Sequence, residues 1–473
     1  MLYKEKIINE IKKRTGSSPD ITYKNIPIKN KIITLIYSNS VSSSTSINEY
    51  ILRRLDEEKE NINTNDLYNY IKCYIPNNSI VLINNIDDYL YYLFNGFTII
   101  LFDDENALAF ENKANLNSSI IRSENEKSLI GPSDSFCENL ETNTGLIRKR
   151  LKTENLWIKQ TIIGDLSKTK IFLFYINGEA DDNLVNNIFN KIKKIDAKYI
   201  GNTNYIIDAI SNPNRSIFPT NLKTERPDAV CQMLLEGRIV LLCENSNQAI
   251  ILPCTFLDFF KSPDDYYEKS INVFTSRLVR VIAILLALLT PAIYIALMAY
   301  NLEAIPSDLL INFSIQRDGV PFSTVFEIIT MSFMFQILRE SDIRFPGKGS
   351  SSISIVGALV LGQAAVEAGI VSPITIIIVG ISSVASLPFT SIELINSIRI
   401  WQIILIILSA FFGFVGVLFG CIILLTLLVS QKSCGKPYFS PFEPLNKYGL
   451  YDSLISKNKV KFKPINIFKG DRK

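Results

Sequence analysis

Over the first 260 or so residues the apolar positions fall in runs of strand length, separated by amphipathic stretches and turn residues. Beyond Leu278 they merge into one tract that ends at Val429. Residues 32–37 (IITLIY), 79–84 (SIVLIN) and 97–102 (FTIILF) are continuous apolar runs whose length predicts short buried strands. Residues 47–58 and 86–94 carry helical spacing, and the polar turn at 103–106 before ALAFE predicts a hairpin. After a linker rich in Asn, Ser and Glu that ends near residue 128, the pattern resumes with strands at 157–163 and 171–176 and an amphipathic helix at 181–195. A helix opened by Pro227 and closed by Gly237 leads into paired strands at 238–243 and 248–254. The expected fold class is an α/β N-terminal cytoplasmic region of two subdomains, 1–125 and 126–270. An all-α transmembrane bundle over 271–430 and a basic cytoplasmic tail over 431–473 follow.

Four parts of the tract are apolar enough to cross a bilayer, which takes roughly 20 apolar residues. They are 278–300, 353–370, 373–389 and 398–429. Pro291 lies inside the first, where a neighbouring helix or side chain can satisfy the carbonyl it frees. Residues 319–345 are apolar but carry Glu327, Gln336, Arg339 and Glu340. Placing four polar groups in hydrocarbon is expensive, so an amphipathic helix lying in the interface or against the bundle is expected there, with a fifth crossing as the alternative. Arg277 and Arg280 flank the first crossing, and the tail after Val429 holds ten Lys and Arg against three acids. Both features favour the cytoplasmic side, which requires an even number of crossings, and four fits. The N-terminal stretch MLYKEKIINEIKKRTG lacks the apolar core of a signal peptide, in keeping with a cytoplasmic first half. Phe259, Phe260, Tyr266 and Tyr267, just before the tract, read either as membrane-interface aromatics or as domain core.

Within the tract, residues 353–368 (ISIVGALVLGQAAVEA) concentrate small residues at helical spacing. Gly357, Ala358, Gly362 and Ala365 allow close backbone approach in a medium with no water-driven force between helices. Gln363 and Glu367 add polarity, and such groups in a spanning segment face a partner or a water-filled cavity. These six residues are the candidate pore or subunit-contact set; packing within one subunit is the other use the spacing admits.

The formal charge of +3 gives no sign of a nucleic-acid partner. The chain has no histidine, which removes Ser-His-Asp and Cys-His nucleophile arrangements and the commonest zinc ligand. Seven cysteines form no C-x-x-C pair and imply neither a zinc site nor a disulfide framework. Gly347, Lys348 and Gly349 do not make a P-loop, because Gly349 stands where Ser or Thr should follow the lysine. No catalytic residue, metal ligand or cofactor site is expected. Glu225, Arg226, Asp228, Glu236 and Arg238 suit an internal salt-bridge network at a domain junction.

Long stretches, in order, carry a family resemblance. They are GPSDSFCENLETNTGLIRKRL (131–151), TERPDAVCQMLLEGRIVLL (224–242), SPDDYYE (262–268), LTPAIYIAL (289–297), GVPFSTVFEIITM (319–331) and SIVGALVLGQAAVEAGIVSP (354–373). Through them the chain resembles the A subunits of the GerA-type spore germinant receptors. The resemblance implies a nutrient-responsive receptor subunit in the inner membrane of bacterial endospores. It also implies a permease-like B subunit as the better candidate for binding the nutrient, a lipoprotein C subunit, and a homo-oligomeric, ion-channel-like role within membrane lipid. Where relatives tend to carry further acids, this chain has Met331 and Phe335. The alternative function is a stand-alone transporter of a small solute or ion, whose usual internal repeats are not visible.

Overall fold

The computed structural model describes residues 3–29, 31–53, 55, 67–74, 79–83, 85–103, 106–116, 121–122, 126, 130–210, 217–344, 350–446 and 449. Expectations that fall on 56–58, on 345–349 and on the tail beyond 449 lie outside the described residues.

The first unit is an antiparallel sheet. Strands β1 (Ile21–Ile28), β2 (Lys31–Ser38), β3 (Ile80–Leu82), β4 (Phe97–Leu101) and β5 (Ala107–Glu111) stand in the order β1-β2-β4-β5-β3. Helices α1 (Tyr3–Arg14) and α2 (Ile86–Phe94) cover one face, where Ile7, Ile11 and Leu93 share a core with Ile36, Ile99 and Leu101. Ile33, Leu35, Ile100 and Leu108 fill a second core on the other face. Burial on both faces explains why β2, β4 and β5 read as unbroken apolar runs rather than alternating ones, whereas β3, expected as a buried strand, lies at the sheet edge with Leu82 exposed. Strand β1 escapes that pattern because Lys24, Asn25 and Pro27 interrupt it, and it lies at the sheet edge, where proline is tolerated.

The second unit repeats the plan with β6 (Leu156–Ile163), β7 (Thr169–Ile176), β8 (Leu222–Thr224), β9 (Ile239–Cys243) and β10 (Ala249–Leu252). Their order is β8-β10-β9-β7-β6, with every pairing antiparallel. Alternate residues of β7 serve two cores. Phe172, Phe174 and Ile176 meet α3 (Leu140–Arg150) and α5 (Pro227–Leu235), while Ile171, Leu173 and Tyr175 meet α4 (Asp182–Lys193).

A buried ion pair locks the two units together. Arg148 on α3 donates through Nε and Nη2 to the two carboxylate oxygens of Asp20, at 3.0 and 3.2 Å. The guanidinium lies 4.6 Å from the centre of the Phe94 ring. Trp157 reinforces the seam by donating from Nε1 to the Arg14 carbonyl at 3.0 Å.

The apolar tract folds into α6 (Ser270–Tyr300), α7 (Ser307–Arg317), α8 (Thr324–Arg344), α9 (Ser350–Glu367), α10 (Pro373–Ala385) and α11 (Ile392–Ser430). Two of these, α6 and α11, are long and apolar enough to cross a membrane. A straight helix of 39 residues would run about 58 Å, nearly twice the hydrocarbon thickness of a bilayer. Instead α11 folds back at Gly413, whose φ of +59° and ψ of −138° break the helix. The arms pack antiparallel: a side chain at Gly416 would collide with the Leu408 carbonyl, and one at Gly420 with the Leu405 side chain. Both ends return to the α/β region, since Ser397 Oγ donates to the Ile217 carbonyl and Gln431 Nε2 to the Phe218 carbonyl. The single run read at 398–429 is therefore a hairpin.

Pro291 sits inside α6 as expected, and its frame leaves the Ala287 carbonyl without a helical donor. Ser382 Oγ on α10 donates to that carbonyl at 2.8 Å and itself accepts from Gln402 Nε2 at 2.8 Å. Of the two placements expected for helix α8, in the interface or against the bundle, the structure shows it packed against the bundle. Phe326, Ile329, Phe333 and Ile337 form its exposed stripe, whereas Glu327 is fully buried toward the bundle. The expected cost of its polar groups assumed that they faced lipid, and for Glu327 neighbouring helices supply partners instead. Phe259 and Phe260 resolve as core, packed with Ala283, Leu394 and Trp401.

Replacing Arg148 with alanine strands the Asp20 carboxylate in the seam, and loss of one partner of a buried pair costs about 3–5 kcal/mol. Thermal or denaturant unfolding of Arg148→Ala should register a loss of that size, whereas Arg148→Met combined with Asp20→Leu should recover most of it.

Candidate functional site

Three places gather polar chemistry. The first is the junction between the α/β region and α6. Arg238, at the start of β9, donates from Nη1 and Nη2 to the two oxygens of Asp258 at 2.6 and 2.9 Å, and from Nε to Glu236 at 3.2 Å. Asp258 also accepts from the backbone N–H and hydroxyl of Thr255, both at 2.7 Å, and lies 3.3 Å from Lys261 Nζ. Burial alone would raise the Asp258 carboxyl, but the charges of Arg238 and Lys261 and its hydrogen bonds hold it well below the usual carboxylate range. Arg226 binds Asp228 with a two-pronged contact at 3.0 and 2.7 Å and reaches Asp264 at 3.4 Å. Tyr267 donates to Asp228 at 2.9 Å, and burial beside that carboxylate pushes its hydroxyl up to about 12. The adjacent Asp265 turns to the opposite side and accepts from Arg277 and Arg280 of α6, each at 3.0 Å. Thus Arg226, Asp228, Glu236 and Arg238 do form an ionic set at the junction, in two clusters, while buried Glu225 accepts from Ser135 Oγ through its carbonyl at 3.1 Å. The carboxylates that complete it, Asp258, Asp264 and Asp265, carry no distinguishing sequence signal beyond their place in LDFF and SPDDYYE.

The second place is Glu327. Its Oε2 accepts from the Ser372 N–H and hydroxyl, both at 2.8 Å, and from Thr375 Oγ1 at 2.9 Å. Ser372 is the N-cap residue of α10, so the carboxylate seals the amino end of that helix, where exposed N–H groups and the helix dipole favour negative charge. Arg317 Nε stands 3.7 Å from the other oxygen.

The third is α9, and here the structure divides the candidate set. A side chain at Gly357 would meet Leu338 of α8 at 3.2 Å, and one at Gly362 would meet Ile376 of α10 at 3.7 Å, so both glycines serve packing within the chain. Ala365 is half-buried beside the core that holds Val371 and Val379. Gln363 and Glu367, one helical turn apart, are exposed on a face they share with Val360 and Ala364. The side chain of Ala358 lies outside the described residues. Among the described residues no group of three or more His, Cys, Asp or Glu side chains is arranged to hold a metal ion.

Comparisons with known proteins agree over almost the whole length. The family model described as Bacillus/Clostridium GerA spore germination protein matches residues 9–464. The chain is similar to spore germination protein KA of Bacillus subtilis (strain 168), 35% identical over 454 residues, covering 95% of this chain and 84% of that protein. It is similar to spore germination protein GerQA of Bacillus cereus, 30% identical with 95% and 90% covered. Among solved structures it overlaps the N-terminal domain of the A subunit of the Bacillus megaterium spore germinant receptor GerK3. That overlap has 26% identity and a TM-score of 0.41, over 53% of this chain and 94% of that one.

Two outcomes test these sites. Because the folded Asp258 carboxyl is depressed, its contribution to stability is fully present above its unfolded pKa of about 3.9 and is lost as pH falls below that value. Thermal unfolding followed from pH 7 to pH 3 should therefore show Asp258→Asn destabilised by about 3–5 kcal/mol at pH 7, with the gap to the unsubstituted protein closing only below about pH 4. For Glu327, substitution by alanine opens the α10 cap and leaves buried donors unpaired. A loss of about 1–3 kcal/mol is expected in detergent-solubilised protein, with Glu327→Gln retaining part of it.

Proposed function

The chain belongs to the GerA family of spore germination proteins, and we propose that it acts as the A-type subunit of a germinant receptor that converts nutrient arrival into an ion flux. In this reading it catalyses no reaction. It assembles with copies of itself in the inner membrane of the endospore, beside a permease-like B subunit that binds the nutrient and a lipoprotein C subunit. In place of the four crossings expected from the apolar runs, six traversals account for the bundle in this reading: α6, α8, α9, α10 and the two arms of α11. An even count keeps the α/β region and the basic tail on one side, and Arg277 and Arg280 favour the cytoplasm for that side.

The observation that carries the channel reading is the pair Gln363 and Glu367, exposed on a helix whose remaining side chains are small or apolar. A spanning helix leaves an acid uncovered by its own chain where a partner or water covers it in the assembly. Copies of α9 brought together around an axis place a ring of Glu367 carboxylates along a polar path. Fixed negative side chains in such a ring lower the energy of a passing cation. Gly357 and Gly362, spent on α8 and α10, hold α9 at the angle that presents this face.

Reversal potential and conductance of the reconstituted receptor test the reading. Glu367→Gln should weaken cation preference severalfold while leaving assembly intact, and Gln363→Leu should lower conductance. Selectivity and conductance unchanged in both variants would remove α9 from the ion path.

A further inference from the structure

Between α8, α10 and the outgoing arm of α11 lies a cavity of about 580 Å³ that none of the roles above uses. That volume falls in the range of sites that enclose small organic ligands. Phe333, Val384, Leu387, Ile403 and Ile407 form apolar walls, and each is more than two-fifths exposed, so the cavity opens to the outside of the bundle. Two arginines, Arg339 and Arg399, line it as well. Arg339 Nη1 donates to Ser386 Oγ at 2.7 Å. Arg399 makes no hydrogen bond or ion pair among the described residues, and Glu340 is near enough for its charge to act on it. The hydroxyl of Ser332, also on the lining, is buried without a hydrogen-bond partner among the described residues.

Depth gives the cavity a direction. Ser397, two residues before Arg399, bonds to the Ile217 carbonyl of the α/β region, so Arg399 lies at the level where the bundle meets that region. Ile407 stands about 12 Å farther along the helix, toward mid-bundle. A cationic mouth at interface depth therefore opens into an apolar slot. Guanidinium forks bind phosphate oxygens in pairs, and basic pockets between helices at this depth suit anionic headgroups.

We propose that this cavity holds one anionic phospholipid from the leaflet on the side of the α/β region, its phosphate on Arg339 and Arg399 and an acyl chain along Phe333, Leu387 and Ile403. The lipid completes a wall that the chain alone leaves open and supplies the counter-charge to Arg399. The proposal rests on the reading of the bundle as membrane-embedded and is independent of whether α9 lines an ion path.

The test uses the full-length chain in neutral detergent, incubated with dioleoyl phosphatidylglycerol, dioleoyl phosphatidylcholine or glycerol phosphate, and weighed by native mass spectrometry. One phosphatidylglycerol per chain should be retained, phosphatidylcholine at least tenfold less, and glycerol phosphate not at all. Arg339→Gln with Arg399→Gln should cut phosphatidylglycerol retention at least tenfold. So should Ile403→Trp, which fills the slot and keeps both charges. Equal retention of the two lipids overturns the proposal, as does retention of glycerol phosphate, which marks a site for soluble anions. A dimer seated on this face that phosphatidylglycerol does not displace also overturns it. Should the double variant fail to fold, Ile403→Trp decides alone, and undiminished phosphatidylglycerol there ends the proposal.

Discussion

Two neighbouring carboxylates, Asp264 and Asp265, tie the two halves of this molecule together by facing opposite ways. One reaches back to Arg226 of the α/β region and the other reaches forward to Arg277 and Arg280 of the first long apolar helix. Buried charges are costly to desolvate and hold only when their partners are geometrically fixed. That requirement makes the junction stiff. Arg238 and Asp258 extend the same rule one layer deeper, and Phe259 and Phe260 pack the apolar side of the hinge against α6 and α11.

Inside the bundle the same economy of polar groups recurs, resting more on backbone groups than on charge pairs. A proline frees one carbonyl, a serine on another helix takes it, and a glutamine on a third orients that serine. Glu327, unpromising as a residue to place among apolar helices, closes the amino end of α10. Ser382 and Glu327 each end on a backbone group which would otherwise be bare, so the cost of one offsets the cost of the other.

Much of the α/β region was legible because both faces of each sheet are covered, which turns strands into unbroken apolar runs. Edge strands β1 and β8 were not, since polar residues and Pro27 dilute their pattern. In the bundle, spacing revealed which residues share a helix face but not what stands against that face. Gly357 and Gly362 meet neighbouring helices of their own chain, whereas Gln363 and Glu367 are exposed. The turn at Gly413 was hidden in the apolar run FFGFVGVLFG. Its one available signal was length, for a largely apolar run of 32 residues exceeds what a single crossing needs.

The hairpin of α11 has a mechanical consequence. Its two feet rest on adjacent residues of one short segment, Ile217 and Phe218, and its tip is held by Tyr300, which packs on Gly413 and donates to the Ala410 carbonyl at 2.6 Å. A body clamped at a narrow base and pinned at its apex behaves as a lever about 30 Å long. The hairpin thereby couples the 217–218 segment to the far end of α6 through one continuous body of two packed arms.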